Sequence, residues 1–163
     1  MSTQQSSLSK EFLSGFRYEL GNRAFALIAV GTISRRMAGI RQDLFWGSYH
    51  ELEKFNQPRY EKAARLLGIE ISIGMGPKLK GHMVGATPKF MLGALVKYVY
   101  PQTITYLKKL KKLQVIGPAT AQPFLAYMVA QEELQIEMMR LAIAKRYEEI
   151  PLLLKKNLPE YNF

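Results

Sequence analysis

From Ala126 to Ile143 the chain contains neither glycine nor proline and reads as one continuous helix. At about 100° per residue, Tyr127, Leu134, Met138 and Leu141 share one side and Leu125, Met128, Ile136, Met139 and Ile143 another. Only Glu133, Glu137 and Arg140 form a polar strip. A helix apolar over most of its circumference has to be surrounded by other elements. Glu132 and Gln135 project into the Met128/Met139 side. A buried carboxylate is costly unless it is paired, hydrogen-bonded, protonated or metal-bound, so this i, i+3 pair is a candidate site.

The remaining sequence supplies partners for that helix. A first helix is expected from Ser7 or Ser9 to about Met37, through Phe12, Leu13, Phe16, Leu20, Ala24, Leu27 and Ile28, with Gly39 at its C-terminal cap. Glu19 lies at the edge of that stripe. There it can form a border ion pair with Arg23 at i+4 or face the interior. A second helix takes Asp43 as N-cap, passes through Phe45, Tyr49, Leu52, Phe55 and Tyr60, bends or restarts at Pro58 and closes at Gly68. A third opens at Thr87-Pro88 and runs to about Leu113, kinked at Pro101. The fourth starts between Pro118 and Pro123 and reaches Glu149, where Pro151 stops it. Residues 68–87 hold five glycines and a proline. That length suits a crossover between the ends of a bundle, or a mobile flap. The expectation is an all-α, four-helix bundle with one long crossover between helices two and three. Residues 1–8 form a flexible N-terminus, 9–150 a single helical-bundle domain and 151–163 a C-terminal tail.

Composition narrows the chemistry. With no cysteine there is neither disulfide nor thiolate site, and the chain fits a cytoplasmic location. Its start lacks the basic and apolar segments of a signal peptide. The uncharged run from Leu113 to Gln131 is broken by Gly117, Pro118 and Pro123, so no membrane span is expected. One aspartate and two distant histidines leave no material for a Ser-His-Asp triad or a zinc site. The formal net charge is +10, yet from Ile71 to Gln131 there is no acidic residue and eight lysines. A surface so one-sided attracts anions: an anionic membrane surface, to which the protein is then peripheral, or an acidic carrier protein. No nucleic-acid recognition motif accompanies the lysines.

Helices two and four correspond without gaps when Tyr49-His50-Glu51-Leu52-Glu53 is laid over Gln131-Glu132-Glu133-Leu134-Gln135. His50/Glu53 then takes the place of Glu132/Gln135. With Glu19, this gathers carboxylates, an imidazole and an amide inside a bundle. The helix order, the crossover, and the segments Tyr18-Glu19-Leu20-Gly21-Asn22, His50-Glu51-Leu52-Glu53 and Gln131 to Gln135 resemble the ferritin-like superfamily. In that family a di-iron centre takes a Glu from each of two helices and a Glu-x-x-His pair from each of the other two. The resemblance implies a ligand role for Glu19 and for Glu132/Gln135, with Gln in place of His. His50-x-x-Glu53 has the reversed order, and helix three offers no carboxylate. Those departures favour a metal-free bundle, with residual iron or manganese as the alternative.

Three functions follow as expectations. The first is a small enzyme that takes a hydrophobic lipid-, polyketide- or terpenoid-like substrate and acts by acid/base chemistry, as a cyclase or isomerase does. His50, Glu53, Glu132, Gln135 and Glu19 form its catalytic set, Tyr49, Met128, Met139 and Tyr106 line its substrate pocket, and residues 68–87 form its lid. The second is a ferritin-like metal-dependent oxidoreductase. The third is a non-enzymatic protein that binds a membrane or a partner helix. A homodimer is compatible with each.

Overall fold

The computed structural model describes residues 8–158. Among them it is all-helical, with α1 (Lys10–Met37), α2 (Asp43–Leu66), α3 (Met75–Gly85), α4 (Leu92–Ile116), α5 (Gln122–Ile143) and α6 (Glu149–Asn157). Single 3₁₀ turns, Lys89–Met91 and Ala119–Ala121, lead into α4 and α5. None of these helices is long and apolar enough to cross a membrane.

The end signals act where the sequence puts them. Ser9 caps α1, its hydroxyl accepting from the Phe12 amide at 3.1 Å. Gly39 (φ 79°) and Gly68 (φ 66°) take the left-handed conformation just beyond α1 and α2. Asp43 is different. It is the first residue of α2, and its carboxylate accepts from the Ser34 hydroxyl at 2.8 Å, which ties α2 to α1. Pro58 and Pro101 both lie inside continuous helices.

Two expectations are corrected. The glycine-rich crossover contains a helix, α3, packed along α1. A Cβ on Gly81 would lie 3.0 Å from the Phe25 carbonyl oxygen, and one on Gly85 2.9 Å from Thr32 Cβ. The glycines that suggested a loop are therefore the contact face of a helix laid close against its neighbour. Arg36 fixes the far end by donating to the Gly85 and Thr87 carbonyl oxygens at 2.6 and 2.8 Å. At the other end of the chain, the fourth long helix stops at Ile143 rather than near Glu149. Lys145 adopts φ 58° in the turn, and Pro151, expected to end a helix, stands in the first turn of α6. Buried Ile150 and Leu154 join α6 to the core.

The core has two apolar parts. Phe12, Phe16, Tyr60, Leu110, Leu125 and Met128 make one. Val30, Ile33, Phe45, Leu52, Met138 and Ile150 make the other. On α1, α2 and α5 the residues separating these parts are polar and buried: Glu19 and Arg23, Glu53 and Asn56, Glu132 and Gln135.

Candidate functional site

α1 places Glu19 and Arg23 in line with Phe12, Phe16, Ala26 and Val30, at alternating spacings of three and four residues. Of the two placements open to Glu19, border ion pair or interior, the structure takes both parts at once: it pairs with Arg23, and the pair points into the centre of the bundle, with Glu19 0% and Arg23 8% exposed. α2 brings Glu53 to the same level and α5 brings Glu132 and Gln135.

Every one of these groups reaches the Arg23 guanidinium. Its Nε lies 3.1 Å from Glu19 Oε1. Nη1 donates to Glu53 Oε1 at 2.7 Å and to Gln135 Oε1 at 3.3 Å, and Nη2 donates to Glu132 Oε2 at 3.4 Å. Tyrosines complete the shell. The Tyr60 hydroxyl donates to Glu19 Oε1 at 2.9 Å, and Tyr106 donates to Glu19 Oε2. Gln135 Nε2 donates to the Tyr49 hydroxyl at 2.5 Å.

The charges do not balance, because three carboxyl groups face one guanidinium. Burial raises Glu132 to about 8, with Arg23 opposing and Glu19 and Glu53 reinforcing the rise. Burial likewise raises Glu53 to about 7, against the pull of Arg23. For Arg23 burial works against the charge, but Glu19, Glu53 and Glu132 outweigh it and hold the guanidinium above its ordinary value. Tyr49 and Tyr60 are raised by burial and by the neighbouring carboxylates, so they stay protonated donors. Burial thus favours the protonated form of both Glu53 and Glu132, against the pull of Arg23.

A cavity of about 740 Å³ opens onto this cluster. Arg23, Glu132, Gln135, Tyr49 and Tyr106 are the part of its polar lining that belongs to the cluster, Asn22, Gln102, Thr103 and Thr105 add further polar groups, and Val30, Ile33, Trp46, Val96 and Met139 are part of its apolar wall. Lys80 and Val84 of α3 and Tyr98 and Lys109 of α4 also border it. It exists because α1 packs intimately with α2 and α3 but touches α4 only lightly.

Of the residues expected at a site, Glu19, Glu53, Glu132 and Gln135 come together, and Tyr49, Tyr106 and Met139 line the cavity. His50 does not join them. Its imidazole packs where a Cβ on Gly31 would lie 2.9 Å from Nε2. Burial lowers its pKa, and the charges acting on it are Lys54, Glu51, Arg35 and Asp43 rather than the central carboxylates. Met128 is fully buried in the core part around Phe12 and Phe16, and is not among the residues lining the cavity. The central residue is Arg23, which sequence reasoning named only as an ion-pair partner of Glu19 and not as a site residue. Its signal was the Phe12, Phe16, Glu19, Arg23, Ala26, Val30 periodicity, which competes with a second apolar stripe through Leu27 and Ile28.

The donor set does not fit the di-iron centre that the ferritin-like resemblance implies. All three carboxylates are engaged by a guanidinium, whose positive charge opposes a cation at the same point. α4 brings no carboxylate to the cluster, and no group of three His, Asp or Glu suited to a metal ion occurs among the described residues. Compared with protein-family models, curated proteins and solved structures, the chain matches none.

Proposed function

We propose that this protein takes a largely apolar small molecule into the cavity between α1 and α4 and transfers a proton to it from Glu132. The observation that carries this reading is a buried carboxyl, Glu132, in the lining of a mostly hydrophobic cavity of about 740 Å³, where burial pushes its pKa up. Ligand pockets commonly combine apolar walls with a few placed polar groups, and a carboxyl whose pKa lies near the working pH is suited to general acid catalysis. Arg23 is positioned to stabilise the carboxylate that remains, and Tyr49, whose hydroxyl accepts from Gln135, can turn its own proton to an oxygen of the substrate. Glu53 and Glu19 act through Arg23 as positioning residues, since neither lines the cavity. The Glu132 carboxylate left behind takes a proton back from another carbon of the substrate, so the reaction class is a net-neutral rearrangement, such as isomerisation or cyclisation of a lipid-, polyketide- or terpenoid-like compound.

The same reading treats α1, α2, α4 and α5 as a ferritin-like four-helix arrangement in which a guanidinium provides the positive charge at the centre. Carboxylates converging from α1, α2 and α5, and the long passage from α2 to α4, support it.

Native mass spectrometry of protein purified without detergent tests the proposal. An apolar molecule should co-purify, stay bound to Glu132→Gln and be displaced in Ala29→Trp, since Ala29 of α1 lines the cavity and the indole would fill it. Absence of any bound molecule, together with no binding of the apolar probe cis-parinaric acid, would contradict it. Substrate turnover retained in full by Glu132→Gln would remove the acid from its assigned role.

A further inference from the structure

α3 is built inside out. Its inner face is Pro77, Gly81, Val84 and Gly85, and its outer face carries Met75, Leu79 and Met83, one helical turn apart. These three are 81%, 60% and 67% exposed, and Phe90 just beyond the helix is 87% exposed. Folding alone does not call for large apolar side chains on the solvent side of a helix whose packing is done by glycine. Exposed apolar patches of this kind mark binding surfaces.

The charges around the patch select the partner. At about 100° per residue, Lys78 and Lys80 fall on the two flanks of the Met75, Leu79, Met83 stripe, and both are exposed. Exposed Lys89 and Lys97 follow, and no acidic residue occurs from Ile71 to Gln131. An apolar stripe bordered by lysines is the pattern of a helix lying in a lipid interface. A second copy would bring the same lysines face to face, so like charges disfavour it.

We propose that the outer face of α3 docks on an anionic lipid bilayer, with Leu79 and Met83 inserted and Lys78 and Lys80 at the headgroups. Lys80 and Val84 also border the cavity, so docking sets its mouth beside the membrane. The docking does not depend on proton transfer by Glu132; either can fail alone.

Cosedimentation of the full chain with vesicles of phosphatidylcholine, with and without phosphatidylglycerol, tests this. Binding should require phosphatidylglycerol and weaken with salt. Lys78→Ala/Lys80→Ala should weaken it about thirtyfold, from roughly 1 kcal/mol per lysine at the surface. Leu79→Glu/Met83→Glu should weaken it by more than about tenfold, since it places two charges in the apolar layer. Lys155→Ala/Lys156→Ala on α6 should bind as the parent does. Met83→Trp should show blue-shifted emission on binding and quenching by brominated lipid. No binding to the anionic vesicles, or binding that survives Leu79→Glu/Met83→Glu in protein of unchanged circular dichroism, would overturn the proposal. So would dimerisation in sedimentation that the same double substitution abolishes while vesicles stay unbound.

Discussion

The Arg23 cluster and the outer face of α3 reverse the ordinary sorting of side chains in opposite directions. In the first, four charged residues from three helices are withdrawn from water; in the second, three large apolar residues are left in it. Neither arrangement is the cheapest solution for stability. Replacing a buried ion network by apolar residues of similar volume is often neutral or stabilising, and exposed apolar surface gains nothing from folding. The comparison teaches where to look for function in this chain: at the positions where burial and polarity disagree. It also separates two kinds of evidence. The cluster is defined by contacts among its members, whereas the face is defined by the lack of large side chains behind it.

The sharpest way to break the comparison is at its buried end. Arg23→Ala leaves Glu19, Glu53 and Glu132 with no counter-charge and should destabilise the fold by about 3–5 kcal/mol, read from urea unfolding. A loss below about 1 kcal/mol would mean that the carboxylates do not depend on the guanidinium.

Next in size is the response to pH. Glu53 and Glu132 have folded-state values of about 7 and 8, against 4.5 when unperturbed. Both bind a proton more tightly in the folded state, so their contribution is fully present below about 4.5 and is lost as pH rises through about 7 and 8. Thermal unfolding followed from acid to mildly alkaline pH should show stability falling by on the order of a few kcal/mol, and Glu132→Gln should flatten the fall. The exposed pair Arg41–Glu148, with Glu148 lowered to about 2, acts in the opposite sense at lower pH and is screened by solvent.

The inner side of α3 sharpens the contrast from its other end. Gly81→Leu has no room against Phe25 and Ile28, and should cost about 1–3 kcal/mol while raising hydrogen exchange in α3 above that in α5. The smallest effect on stability is expected on the outer side. Leu79→Glu/Met83→Glu should shift unfolding by less than about 0.5 kcal/mol. Stability that responds strongly there would mean the apolar face serves the fold rather than a partner.

Much of this was legible in order along the chain. The polar strip of α5 at Glu133, Glu137 and Arg140, its apolar remainder, and the inward aim of Glu132 and Gln135 follow from helical periodicity, and burial agrees with them. So do the Ser9 cap and the helix ends near Gly39 and Gly68, because capping is local chemistry. Glu53 entered as a candidate through the correspondence of Tyr49–Glu53 with Gln131–Gln135, and Glu19 as a residue at the edge of its stripe that could face the interior.

What the tertiary structure decided is of a different kind. α1 carries two apolar stripes, one through Phe16 and Val30 and one through Leu27 and Ile28. Which of them faces the bundle centre depends on whether a helix covers the other, and the helix that does, α3, is glycine-rich and has a loop-like sequence. With α3 in place, Arg23 turns inward and becomes the hub for Glu53 and Glu132, which lie 30 and 109 residues away along the chain. His50 could be matched to a site by spacing on its own helix, yet the rotation of α2 against Gly31 points it elsewhere. The residue types available for a site, and the stripes that could bury them, are properties of the sequence. Their meeting at one guanidinium beside an open cavity is a property of packing, because burial is settled by the neighbours a side chain meets rather than by its position in a helix.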